Sequence, residues 1–507
     1  MDVSIQELRI DYIMEKGFVP AQNTVLVAGH FSGTGALRKL RYIERLHDAL
    51  YQVGYRLLIV NMSTSAADTQ YEYISCPIDI AISYRLHGHD FLQRDDLPPD
   101  LYRAAVIDAE MNQRPFAASA FRMVLYTSWI REIIQKNKVS FCLIWHEFNG
   151  PHCALTALCQ TLDIPFLYME YGLLPGTVAF DAEGQMGESR ITLRHKEFSG
   201  LSVSSFDMDR AHRLLGLARD TRRTHKPQDS TLEVIALAGE LRKKAQAIIF
   251  YAGQNDWASG MLPKPFKAAR LHSPIYEDTL DALSHLSEIA EANNWHILFK
   301  PHPMVEARHR DFEAPFPDRI TLVSGANIFE CIESADACAT ILSQAAYLFL
   351  IHNRPCVMLG RHQIHRKGCA YEPETREEVC AAFQQAVSNR ITETQRHCFE
   401  RHVAQLSRYY LYAMDADVEA VMGKGPERAA RSLARYISGN NRERGFPFAD
   451  DLEEFFLPDP LPAGDTPAKM SPPGNPKAPT LASRFMEIKR RASKTWWGKR
   501  LRRHLRK

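Results

Sequence analysis

AIIFY at residues 247–251 and HILFK at residues 296–300 are two short runs of β character, and between them Leu280, Leu283, Leu286 and Ala290 recur at helical spacing. Strand, helix, strand in that order is the repeating unit of a parallel α/β sheet. The alternation continues toward the C-terminus with a run at 320–323, a helix from Asn327, a run at 337–342, a helix from Ser343 and a run at 355–359. Toward the N-terminus, TVLVA (24–28), a helix through Leu40, Ile43, Leu46, Leu50 and Val53, and YRLLIV (55–60) form a first series. FCLIWHE (141–147), a helix through Ala154, Leu155, Leu158 and Leu162, and FLYME (166–170) extend it, with residues 120–135 also helical. Polar residues at 204–230 separate the two series, and helical sequence fills most of 375–438. The expectation is a pair of facing, doubly wound, Rossmann-like α/β domains with a cleft between them.

A chain of 507 residues, 45% hydrophobic, 24% charged and 10% aromatic, has material for more than one core and is neither disordered nor collagenous. Its ten cysteines include no CxxC pair, which argues against a zinc ribbon or a secreted disulfide framework and for a reducing, cytoplasmic setting. The opening residues MDVSIQELRIDY do not read as a signal peptide. The longest apolar run, 339–351, is broken by Ser343 and Gln344 and is too short to span a bilayer.

The organisation expected is an N-terminal acceptor-side domain (1–230), a nucleotide-sugar domain (231–375), a helical extension packed on both (376–456), a Pro-rich linker (457–480) and a basic amphipathic tail (481–507). The linker carries eight prolines and two glycines in 24 residues. The tail from Arg484 to Lys507 has eleven Lys/Arg and one acid, about +10, leaving about −8 on the rest of a chain whose net charge is +2. Phe485, Ile488, Trp496 and Trp497 could join those cations in peripheral contact with an anionic membrane at the inner face of the cytoplasmic membrane. A solvated tail is the alternative, and no base-reading module points to specific nucleic acid.

Chemistry concentrates at the ends of the runs, where doubly wound folds bind ligands. FKPHP (299–303) follows a strand, so Lys300, His302 and Pro303 stand at the crevice, as phosphate donors or as a rigid turn with a solvated lysine. Ser343 and Gln344 begin a helix, where the hydroxyl would cap the helix or hold the same phosphate, and Glu330 lies near the start of another, placed for a ribose or for the helix dipole. In YMEYGLLPGTVAFDAEGQMGES (168–189), turn residues suggest a cleft-facing loop with Glu170, Asp181, Glu183 and Glu188 as carboxylates for acid–base or nucleophilic work. Gly172 sits in that loop, and Gln254, Asn255 and Asp256 follow the first strand of the second series, suited to donor or acceptor contacts or to an Asx turn. Gly29, Gly33 and Gly35 do not meet dinucleotide-binding spacing, and His146, Glu147 and His152 match no strong metal signature, so no protein-bound metal or resident cofactor is expected.

The run from Glu170 to Thr177 (Glu-x-Gly-x-Leu-Pro-x-Thr), Asp181 and Gly184, followed by His302-Pro303 and Ser343, resembles the bacterial capsular polysaccharide biosynthesis family that includes Kdo transferases. The resemblance implies the two-domain GT-B glycosyltransferase architecture, His302 and Ser343 on the phosphate of CMP, Glu330 on its ribose, and Glu170 on the reacting sugar. Some Kdo transferases carry acid-acid-Gly here, whereas this chain has Glu170-Tyr171-Gly172, which leaves Glu170 first and Asp181 second as reacting carboxylate. The activity it implies is transfer of a sugar, Kdo from CMP-Kdo, to a lipid-linked or glycan acceptor. Rival readings are a CDP-glycerol-type phosphotransferase and a non-catalytic, membrane-recruited assembly protein.

Overall fold

The computed structural model describes residues 23–31, 36–64, 69, 71–81, 97–224, 232–264, 271–309 and 312–439. The linker and basic tail expected at 457–507, and Gly33 and Gly35, lie outside them. Two sheets organise the described residues. The first has seven strands: β1 (Thr24–Gly29), β2 (Arg56–Asn61), β3 (Tyr73–Ser75), β4 (Phe141–Trp145), β5 (Phe166–Tyr171), β6 (Thr177–Asp181) and β12 (Leu411–Ala413), in the order β12-β6-β5-β4-β1-β2-β3. The second has five: β7 (Ala247–Ala252), β8 (Trp295–Lys300), β9 (Ile320–Leu322), β10 (Ala337–Thr340) and β11 (Cys356–Met358), in the order β11-β10-β7-β8-β9. All pairs of the second sheet are parallel, as are those joining β1 to β5 in the first. Each sheet winds outward from its first strand, to one side through the next two strands and to the other through the fourth. The winding reverses between β1 and β4 in one sheet and between β7 and β10 in the other, and crevices for ligands open at such points.

Burial explains why these runs are strands. β1 and β7 are buried along their whole length, as central parallel strands covered on both faces must be. The Leu37–Gln52 helix puts Leu40, Ile43, Leu46 and Leu50 on one side, against Val25, Val27, Leu57 and Ile59. The Thr279–Ala292 helix does the same for the second sheet with Ala282, Leu283, Leu286 and Ile289, and Asp278 caps it by accepting from the Leu280 and Asp281 amides at 3.0 and 2.8 Å.

Three elements depart from the sequence expectation. Residues 177–181, within the expected loop, form β6, antiparallel to β5 with Glu170 opposite Ala179 and Tyr168 opposite Asp181. The segment expected to be a polar separator is largely the Ser205–Thr221 helix, started by a capping box between Ser204 and Asp207. Its buried Leu214 and Leu215 join a core shared with the second sheet. The C-terminal extension is not helical throughout: β12 pairs antiparallel with β6, and the Gly425–Ile437 helix then lays Ala429, Ala430 and Leu433 against the Leu37–Gln52 helix. The chain thus returns to its first sheet after building the second. Arg38 and Arg45 fasten this return through ion pairs with Asp415 and Glu419.

Candidate active site

The carboxyl ends of both sheets meet. The Gln344 side-chain amide, at the start of the Ala345–Ile351 helix after β10, donates to the Tyr171 carbonyl at the end of β5 at 3.1 Å. Ser343 precedes Gln344 and Glu170 precedes Tyr171, so both residues adjoin this junction in the chain. Gly172 follows, donating its amide to the Thr177 carbonyl at 2.9 Å, and a β-carbon there would stand 2.0 Å from Thr177 Oγ1. Only glycine closes that turn.

The four acids of the 168–189 stretch have different fates. Asp181, 3% exposed, accepts from the amides of Glu183, Gly184 and Arg190 and from the Tyr410 hydroxyl at 2.8–3.1 Å, so its oxygens are committed to shaping the loop. Burial lifts its pKa to about 7 against the pull of these four donors. Glu183 pairs with Arg190 at 2.8 Å and Arg194 at 2.7 Å. Glu188 meets Glu147, the residue two beyond β4; burial first and then the Glu188 charge hold the Glu147 carboxyl well above its ordinary range. Glu170 alone of the four has no hydrogen-bond or ion-pair partner among the described residues. Burial, then the Asp181 charge, raises its pKa to about 8. An enclosed, partnerless carboxyl is costly to keep, which is why such groups concentrate at sites of chemistry.

On the opposite edge, polar side chains brace one another. Gln254, after β7, accepts from the Leu342 amide at 2.7 Å and so bridges the point between β7 and β10 where the winding reverses. Its amide donates to Asp256 at 3.2 Å, and Asp256 accepts from the Thr279 hydroxyl at 2.7 Å and amide at 3.2 Å. Thr340 donates to the Ala252 carbonyl and accepts from the Ser343 amide. Gln254 and Asp256 are therefore framework, and burial raises the Asp256 pKa to about 6. Ser343 Oγ accepts from the Ala345 amide at 3.2 Å, while Lys300 donates to the Ala326 carbonyl at 2.7 Å, pinning the loop after β8 to the segment before the Ile328–Ser334 helix that carries Glu330. His302 Nδ1 accepts from the Met304 amide at 3.2 Å, which orients the ring at the mouth of that loop, beside exposed Pro303. Because the strands are parallel, His302, Gln254 and Ser343 follow the carboxyl ends of β8, β7 and β10 on one edge.

Sequence reasoning did not reach a buried histidine cluster where the domains touch. Tyr347 bonds His402 at 2.9 Å and packs against the His362 ring, and His272 packs edge-on against Phe148. Both His362 ring nitrogens, His402 Nδ1, His272 Nε2 and the whole Gln363 amide are buried without hydrogen-bond partners. Burial holds His272 down at about 4 and His362 at about 3, so they are neutral. Gly187 permits this contact, since a β-carbon there would meet the His272 ring at 2.7 Å. The set His146, Glu147 and His152 does not converge: His152 Nδ1 turns to the His146 carbonyl, and among the described residues no group of three His, Cys, Asp or Glu is placed to hold a metal. All ten cysteines are free thiols, and no helix among the described residues is long and apolar enough to cross a membrane.

Residues 267–409 match the family model described as "Capsule polysaccharide biosynthesis protein". No curated protein matches the chain. Among solved structures, the chain is similar to the KpsC β-Kdo 2,7 transferase of Thermosulfurimonas dismutans, with 15% identity over 82% of this chain and 99% of that one and a TM-score of 0.38. The KpsC β-Kdo 2,4 transferase of the same organism has 15% identity over 56% and 88%, with a TM-score of 0.40. The S. aureus MnaA–UDP structure has 11% identity over 82% and 97%, with a TM-score of 0.33. The matched segment holds most of the second sheet, His302, Ser343 and the helix that leads back to β12.

Proposed function

We propose that the chain is a nucleotide-sugar-dependent glycosyltransferase of capsule or related surface-polysaccharide assembly, with CMP-Kdo as donor and a lipid-linked or glycan acceptor. The observation that supports this reading is the hydrogen bond from the Gln344 amide to the Tyr171 carbonyl, which joins the carboxyl ends of the two sheets next to the buried, partnerless Glu170. His302 and Ser343 would receive the donor phosphate and stabilise the charge it gains as it leaves. Lys300 braces the His302 loop and Glu330 would meet the ribose. Glu170, once ionised, is a stronger base than an ordinary carboxylate, suited to take the acceptor proton or to attack the anomeric carbon. Contact between the domains excludes water, whose attack would waste the donor. The rise in pKa that burial imposes makes the reaction pH-dependent, with the rate growing as the medium approaches pH 8.

The test is a panel of CMP-, UDP-, GDP- and CDP-linked donors, assayed for binding and turnover with a lipid-extract acceptor. A new glycosidic bond formed from CMP-Kdo is the expected outcome. A new phosphodiester, or turnover that survives in a folded Glu170→Gln chain, would overturn the assignment.

A further inference from the structure

The loop after β8 carries its own scaffold. The His302 ring accepts from the Met304 amide at 3.2 Å, the His302 carbonyl from the Val305 amide at 3.0 Å, and the Val305 carbonyl from the Arg308 amide at 2.9 Å. Bonds this local make 302–308 one turn, with Arg308 at a fixed offset from His302. The Arg308 guanidinium then leaves its own domain and donates to the Met111 carbonyl at 2.8 Å.

The sequence explains why that carbonyl needs a side-chain donor. Met111 lies in the last turn of the Pro99–Asn112 helix, where carbonyls run out of amides within the helix. The residue four beyond it is Pro115, which has no N–H to give. The helix closes instead through left-handed Gln113, with φ of 52°, and through the Arg114 amide, which donates to the Ala109 carbonyl at 2.8 Å. A cation suits the Met111 position, because the dipole leaves this end of the helix negative. Trp257 steadies that cation from the second domain, its ring centre 4.1 Å from the guanidinium. The turn that carries Trp257 is closed by the Ser259 and Met261 amides on the Asn255 and Asp256 carbonyls, both at 2.9 Å. An open cavity of about 750 Å³ flanks the contact, lined by Glu110, Gln113 and Phe116 of the first domain and by Trp257 and Arg308 of the second. Arg308 therefore bridges a gap rather than filling a packed interface.

We propose that Arg308 is a positioning residue for transfer: by tying the 302–308 turn to the end of the first domain's helix, it fixes His302, and the phosphate held there, relative to the domain that carries Glu170. The proposal rests on the glycosyltransferase reading above. The test is hydrogen–deuterium exchange of the full chain with and without CMP, beside CMP-Kdo turnover with a lipid-extract acceptor, for wild type, Arg308→Ala and Arg308→Lys. In the wild type CMP should slow exchange in both 302–308 and 109–114; in Arg308→Ala it should slow 302–308 alone. Arg308→Ala should keep its CMP affinity within about twofold and lose roughly tenfold to a hundredfold in kcat, up to the effect of a misplacement of about 1 Å. Arg308→Lys, whose ammonium can still donate to the Met111 carbonyl, should recover most of that loss. Should Arg308→Ala fail to fold, Trp257→Leu, which removes the ring beneath the guanidinium and leaves the hydrogen bond, should show the same pattern at smaller amplitude. Unchanged kcat without the guanidinium, CMP protection of 109–114 that persists in Arg308→Ala, or a loss of CMP affinity that accounts for the whole loss of turnover would overturn the proposal. A chain that binds no CMP, yet exchanges faster in both segments once Arg308 is replaced, would sink the glycosyltransferase reading and leave the tie between the domains standing; full transfer by Arg308→Ala would do the reverse.

Discussion

The two sheet edges that meet at the candidate site use polar residues in opposite ways. On the second sheet, Gln254, Asp256, Thr279, Thr340 and the Leu342 and Ser343 amides satisfy one another, so the loops after β7 and β10 are locked before any ligand arrives. On the first sheet, Glu170 is enclosed without a partner and Glu147 faces Glu188. The contrast teaches a division of labour: one edge is preorganised to hold a fixed group, while the other stores the reactivity in acids kept from their ordinary charge state.

The largest effect expected from breaking this division is at Glu170. Glu170→Gln should lower transfer by about 10²–10⁴-fold, the usual contribution of a positioned acid or base, with donor binding intact. Single-turnover kinetics beside nucleotide titration separate the two. The next is Asp256→Ala, which leaves the Thr279 amide and hydroxyl and the Gln254 amide short of an acceptor at a buried position; it should cost roughly 2–3 kcal/mol in denaturant unfolding, whereas Glu170→Gln should raise stability at pH 8. A destabilised Glu170 variant paired with a neutral Asp256 variant would reverse the comparison.

The pH dependence of stability sharpens it. Glu170 has its pKa raised on folding to about 8 from about 4.5, so the folded chain keeps a proton that the unfolded chain has lost. Stability from this group is complete below pH 4.5 and drains away as the pH rises toward 8, at up to about 1.4 kcal/mol per pH unit, and Glu170→Gln should flatten that slope. The histidine cluster acts with the opposite sign. His272 and His362 titrate in the folded chain at about 4 and 3, so the stability they contribute is complete above pH 6.5 and is lost on acidification. Unfolding titrations of His362→Gln and wild type should diverge only below pH 6.5. The smallest effect is at His302, whose ring is oriented by the Met304 amide at a partly exposed loop: His302→Ala should weaken nucleotide binding about tenfold and leave the unfolding midpoint unchanged.

How much of this was legible in the sequence follows from where burial acts. Runs such as AIIFY and HILFK announce β7 and β8 because a parallel strand covered on both faces has to be apolar throughout. β6 and β12 escape such a reading: TVAFD lies among turn residues and LYA has three residues, and they are strands because β6 pairs with β5 and β12 with β6. The Ser205–Thr221 helix, rich in Arg and Asp, hides its apolar stripe among ion pairs, although the Ser204–Asp207 capping box is visible in the sequence. At the site, the motif residues Glu170, Gly172, Ser343 and Gln344 stood out by their pattern, and the Gln344 amide bonds the Tyr171 carbonyl between two of them. The commitment of Gln254, Asp256 and Asp181 to framework bonds depends on contacts as distant as Tyr410, which no local pattern encodes. The histidine cluster is assembled from residues 272, 362 and 402, each unremarkable in its own neighbourhood.

The return of the chain through β12 and the Gly425–Ile437 helix has a mechanical consequence. The polypeptide passes between the sheets twice, once between β6 and β7 and again between β11 and β12. Two passages of chain restrict the relative freedom of the two sheets more than a single linker would, because each passage limits the movement that the other leaves open.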